Sequence, residues 1–204
     1  MDWKSAPGLI ILAAAMVAVF LFRRWNTNRK MAPMAGAFDN GQYERKGGGL
    51  SETRYIGRFK GRRAVISYDP PSTGKEGAFT LEIACRAGWE LYLRTRLKQK
   101  LLGWAASRGQ KAELGDPALE GKITLHSDTP GPALRWFGDP EVRGLVTRWL
   151  LEEDAIFLAL RDSNDLKERA LVVHYAYMVP VRTEENVRIL LDRLDWLAGR
   201  VEAG

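Results

Sequence analysis

"AIFLALRDSNDLKERALVVHYAYM", residues 155–178, decides the fold. The runs AIFLALR and ERALVVHYAYM are rich in β-branched, aromatic and long aliphatic residues, as strands are. DSNDLK between them carries Asp, Ser and Asn, whose side chains bond the neighbouring backbone and favour turns. Strands joined by so short a turn run antiparallel. The pattern recurs upstream. TRYIGRF (53–59) and RAVISYD (63–69) are joined by Lys60-Gly61-Arg62, a hairpin signal.

AFTLEIAC (78–85) alternates strictly, with Phe79, Leu81, Ile83 and Cys85 on one face and Thr80 and Glu82 on the other. WELYLRT (89–95) repeats this, Trp89, Leu91 and Leu93 pointing inward, and KITLHS (122–127) is a further strand. Helical spacing of Leu97, Leu101, Leu102 and Ala105 predicts a basic helix over 95–107. Asp139-Pro140 is a helix start, and Val142, Leu145, Val146, Trp149 and Leu150 form its apolar stripe. Thr183 caps the last helix, Glu184 and Glu185 suit its positive end, and Val187, Leu190, Leu191, Leu194, Leu197, Ala198 and Val201 line one face. Paired strands and interspersed helices predict an α+β fold, a mostly antiparallel sheet with helices packed on one face.

Ahead of this domain lies GLIILAAAMVAVFLFRRW, residues 8–25. Residues 6–22 carry no charge, and Arg23-Arg24 close the run. Trp3 and Trp25 bracket it as interfacial aromatics do, about 34 Å apart on a helix. The run is apolar all round, unlike a core helix of a globular domain. No small-residue cleavage pattern follows it closely, and Ala35-Gly36-Ala37 comes too late for a signal peptide. The expectation is therefore an uncleaved transmembrane anchor over 1–25, a flexible linker over 26–52 and a soluble α+β domain over 53–204. Lys4 stands on the N-terminal flank and Arg23, Arg24, Arg29 and Lys30 on the other. The positive-inside rule then puts the domain in the cytosol, at the inner membrane of a cell. A reversed topology would make it an envelope protein.

Charge is unevenly spread. Residues 23–111 hold 19 Lys and Arg against 7 Asp and Glu, whereas residues 112–204 hold 11 against 17. RTRLKQKLLGWAASRGQK (94–111) has six basic residues and no acid. Its plain reading is a solvated helix face. Among binding readings, anionic lipid leads because the anchor already holds the chain beside a bilayer. A protein partner follows, and nucleic acid is the least favoured. The candidate lipid contacts are Arg23, Arg24, Arg94, Arg96, Lys98 and Lys100. Ile189 and Trp196 lie off the core stripe of the last helix, one possible docking strip.

The motifs that could carry chemistry are weak. STGKEG (72–77) fails the phosphate-loop pattern, because Asp69 replaces the first Gly and Glu76 follows the Lys. His126-Ser127-Asp128 has the residue types of a hydrolytic triad, but strand neighbours point to opposite faces. His126 and His174 show no metal-ligand spacing. Glu152-Glu153-Asp154 sits at a helix C-terminus, where the dipole disfavours acids. With one cysteine, Cys85, the chain has no intramolecular disulfide and no multi-cysteine zinc site.

GDPALEGKITLHSDTPGPALRWFGDPEVRGLVTRWL, residues 115–150, resembles a stretch of uncharacterised bacterial membrane-tethered proteins with a C-terminal α+β domain. In those proteins a Gly-Asp-Pro-like turn precedes a strand ending in Ser-Asp, and a helix and further strands follow. Their turn is followed by Phe-Asp, where this chain has Leu119-Glu120. The likeness extends over about residues 115–204. It implies a bacterial source and a membrane tether, and no catalytic residue or cofactor. The sequence thus points to an interaction or scaffolding module held at a membrane. The rival is an enzyme whose site is assembled from scattered residues.

Overall fold

A computed structural model describes residues 6–45, 53–69, 77–95, 109–175 and 183–204. The strands are β1 (Gln42–Arg45), β2 (Thr53–Phe59), β3 (Arg62–Asp69), β4 (Ala78–Ala84), β5 (Leu91–Thr95), β6 (Gln110–Ala112), β7 (Ile123–Ser127), β8 (Ala155–Ser163) and β9 (Glu168–Tyr175). The helices are α1 (Ala6–Ala35), α2 (Pro130–Gly138), α3 (Pro140–Leu151) and α4 (Glu184–Ala203).

The strands form one sheet in the order β1-β2-β3-β4-β9-β8-β5-β7-β6, and every neighbouring pair is antiparallel. Turn chemistry explains the hairpins. Lys60 and Gly61 have φ of 50° and 82°, the left-handed pair that a two-residue turn between right-twisted strands needs. Register brings Thr53, Tyr68, Phe79, Tyr175, Ala155 and Thr95 to one end of the sheet.

The predicted alternation is the core. Phe79, Leu81, Ile83, Cys85, Trp89, Leu91 and Leu93 are buried with the apolar stripes of α3 and α4 in a single cluster. Both predicted caps form. The Asp139 side chain accepts from the amides of Glu141 and Val142, and Thr183 accepts from Asn186. The acidic run after α3 also finds a partner, Glu153 pairing with Arg193 of α4 at 2.8 Å. Helix-side burial of this extent supplies most of the folding free energy of such a domain.

The opposite face of the sheet is partly covered as well. The β8–β9 turn leans across β4, so that Leu166 is buried against Val65, Ala84, Ala170 and Val172. Arg63 of β3 donates to the Leu166 carbonyl at 2.7 Å, and Arg54 of β2 bonds Asp165. Glu82, on the face read as polar, is buried beneath this turn, where its carboxylate accepts from Ser163 and Arg161.

One boundary differs from expectation. Residues 26–45 are not a flexible linker: the helix continues unbroken to Ala35, and Gln42–Arg45 add an edge strand to the sheet. Met31, Met34, Ala37 and Phe38 lie in the main core. Apolar side chains that find a groove between β2 and α4 outweigh the loop-favouring Asn and Gly around them. Residues 46–52 of the expected linker and the expected basic helix after Thr95 lie outside the described residues, as does most of STGKEG.

Candidate functional site

Helix α1 is one rod with two different surroundings. From Leu9 to Phe22 its apolar side chains are exposed apart from the half-buried Phe20, Leu9 at 65%, Ile10 at 69% and Phe22 at 62%. About two and a half turns beyond Phe22, Met31 is wholly buried, and so is Met34. Among the described residues, no helix is long and apolar enough to cross a membrane; the described side chains of this run are those of 9–22.

Between the two surroundings sits an aromatic and cationic collar. The Phe22 and Trp25 rings lie 6.2 Å apart, and the Arg29 guanidinium is 5.5 Å from the Trp25 ring centre. A cation over an indole face is held by the ring quadrupole, and both groups suit a polar–apolar boundary.

The inner end is fastened by several bonds. Arg188 of α4 donates to the Gly36 carbonyl at 2.6 Å, and the Asp39 amide donates to the Arg58 carbonyl of β2 at 2.8 Å. Gly57 lets the 38–41 segment cross β2, because a Cβ there would lie 2.6 Å from the Asn40 oxygen and 2.9 Å from the Gly41 Cα.

Of the expected lipid-contact residues, Arg94 is the one whose side chain is described. Arg23 and Arg24 lie on α1 just before Trp25, and their side chains are outside the described residues. Arg94 lies in β5, not on a helix. It is half-buried on the sheet face away from the helices, between Phe157 and Thr124 in register, and desolvation lowers its pKa. Arg96, Lys98 and Lys100 are outside the described residues. The fastening residues Met31, Met34 and Phe38 escaped sequence reading, although their spacing is helical and could have signalled a buried stripe.

The histidines have structural surroundings. His174 Nδ1 lies 2.8 Å from Thr80 Oγ1, and its ring stacks on Phe157 with centres 4.9 Å apart. Burial, reinforced by the Arg161 charge, pushes its pKa down to about 4. His126 is also shifted down, by desolvation first and then by Arg94. Cys85 is buried, and desolvation pushes its thiol up to about 12. No group of three metal-ligating side chains forms among the described residues.

A cavity of about 270 Å³ opens between α2, α3 and the end of α4. Trp89 and Trp136 meet edge to face there, 6.3 Å apart, and Asp139, Arg135 and Arg200 line it too. Arg200 is engaged by Asp139 and Glu141. Neither histidine lines this cavity, so the arrangement that would favour a scattered-residue enzyme, a cavity histidine beside a carboxylate, is not formed there.

No family model and no curated protein matches the chain. Among solved structures it is similar to the mycobacterial trehalose monomycolate transport factor A, with 12% identity, coverage of 87% of this chain and 92% of that one, and a TM-score of 0.48. A likeness at that level carries nothing about what this chain does.

Proposed function

We propose that the chain is a single-pass membrane-anchored protein whose α+β domain serves as an interaction or scaffolding module at the membrane surface. One observation carries this reading: the outer half of α1 is apolar all round, and its described side chains are exposed apart from the half-buried Phe20. A helix that is apolar all round belongs in a protein core or a bilayer, and no part of the described domain covers it. The uncharged stretch 6–22 reaches about 26 Å as a helix, close to the hydrocarbon thickness. Trp25 and Arg29 then fall at the headgroups. Arg23 and Arg24 add attraction for anionic lipid of about 1 kcal/mol each. The Lys and Arg balance places the domain in the cytosol.

The test is topology and extraction. A reporter active only in the cytosol is fused to Gly204, and a reporter active only outside is fused in parallel. Cytosolic activity, with the protein kept in membranes at alkaline pH, is expected. External activity overturns the orientation, and release by alkali overturns the anchor.

A further inference from the structure

We infer that α1 is a rigid strut that holds the domain at one height and one tilt against the bilayer, with Phe22, Trp25 and Arg29 marking the headgroup level. This rests on the membrane reading above and adds to it how the domain is presented. A domain on a flexible coil of residues 26–52 would wander over tens of ångströms and show the membrane every face. The observed chain has no such freedom at its first fastening. The helix runs without interruption from Ala6 to Ala35. Its inner turns enter the core through Met31 and Met34, followed by Ala37 and Phe38.

The distance between the two environments is short. Trp25 is 56% exposed and Met31 is wholly buried, six residues further on. On a helix that is about 9 Å. The domain therefore begins little more than one headgroup layer beyond Trp25.

The fastening resists rotation as well as withdrawal. It combines buried methionines on one side of α1, the Arg188 bond to the Gly36 carbonyl from α4, and the Asp39 bond to Arg58 from β2. Contacts to two different elements fix a direction, where a single contact would allow a swivel. The sheet and its helices are thereby oriented by the anchor, so one face of the domain stays turned to the lipid and another to the cytosol. A partner reaching this protein along the membrane meets the same surface each time.

The experiment uses the full chain in vesicles of phosphatidylcholine and phosphatidylglycerol. Cys85 is buried, so a dye can be placed selectively on Glu113→Cys, an exposed position of the domain. Time-resolved energy transfer to headgroup-labelled lipid reads the height of the dye and its spread. Two insertions between Arg29 and Lys30 leave the collar and the fastening intact. A Gly-Ser-Gly-Ser insertion is expected to broaden a narrow distribution. Two turns of Ala-rich helix are expected to shift it outward by up to about 11 Å without broadening. A wild-type distribution as broad as that of the Gly-Ser variant, or one that neither insertion changes, overturns the strut. Flotation with the vesicles is scored in the same samples. If the wild-type chain does not float, the membrane reading itself fails, whereas floating with a broad distribution fails the strut alone.

Discussion

Gly57 of β2 lies directly beneath the Asn40 carbonyl oxygen, where a Cβ would come within 2.6 Å. Gly57→Ala must push the 38–41 segment off the sheet, because the obstructing atoms are backbone and cannot rotate away. A loss of about 1–3 kcal/mol is expected, the range for overpacking. Denaturant unfolding measures it. Hydrogen exchange at the Asp39 amide, which bonds Arg58, should rise more than elsewhere. Unchanged exchange there would show that the crossing is not tight.

Arg62 joins the sheet to α4 through Asp195 at 2.8 Å and Glu202 at 2.6 Å, with both of its partners partly buried. Glu202 also accepts from the Arg86 amide. The Arg62 bonds hold the Glu202 carboxyl below the usual carboxylate range. Its contribution is therefore present above the unfolded pKa and is lost as pH falls through the lower folded value. Arg62→Met should cost about 1–3 kcal/mol at neutral pH. The difference between variant and wild type should shrink on acidification, which urea melts over an acid pH series would detect.

His174 is shifted in the same direction as Glu202 but by burial, not by a charged partner's bonds. Its folded pKa of about 4 lies below its ordinary 6.5, so the folded state resists a proton that the unfolded state accepts. Above pH 6.5 the group is neutral in both states and pH has no effect through it. Stability is lost as pH falls from 6.5 towards 4, by up to about 3 kcal/mol. His174→Asn keeps a polar atom towards Thr80 and removes the titration. Its stability should vary less over this window than that of the wild type.

Ser163 donates to the buried Glu82 carboxylate and accepts from the amides of Asp165 and Leu166. Ser163→Ala strips the β8–β9 turn of all three bonds at once. A cost of about 1–3 kcal/mol is expected, with faster proteolysis at the turn. Stability equal to wild type would mean that the turn is held by Leu166 packing and the Arg63 and Arg54 bonds without Ser163.

Local structure was legible where short-range chemistry decides it. The Lys60-Gly61 turn, the Asp139 and Thr183 caps and the stripe from Val187 to Val201 all depend on residues within a few positions of one another. The alternation at Phe79, Leu81 and Ile83 named the core face of its strand, because side chains on a strand must alternate. The expected antiparallel sheet with helices on one face followed from these local patterns.

What covers each surface was decided only by tertiary structure. Glu82 stands on the polar side of the alternation yet is buried, because a turn 81 residues away in sequence leans over it. Met31, Met34 and Phe38 are set among Asn, Gly and basic residues that suggest a loop, and they become core only because β2 and α4 present a groove to them. Pairing of β5 with β7 and β8, not with its sequence neighbours, is likewise a choice among distant partners. Composition alone marked residues 6–22 as a segment needing an apolar surrounding, since nothing within the run could satisfy it. That this segment continues as one helix into the domain core was settled by contacts over 150 residues apart, such as that of Arg188 with Gly36. Periodicity records which side of an element is apolar, and the identity of the surface that meets it depends on the whole chain at once.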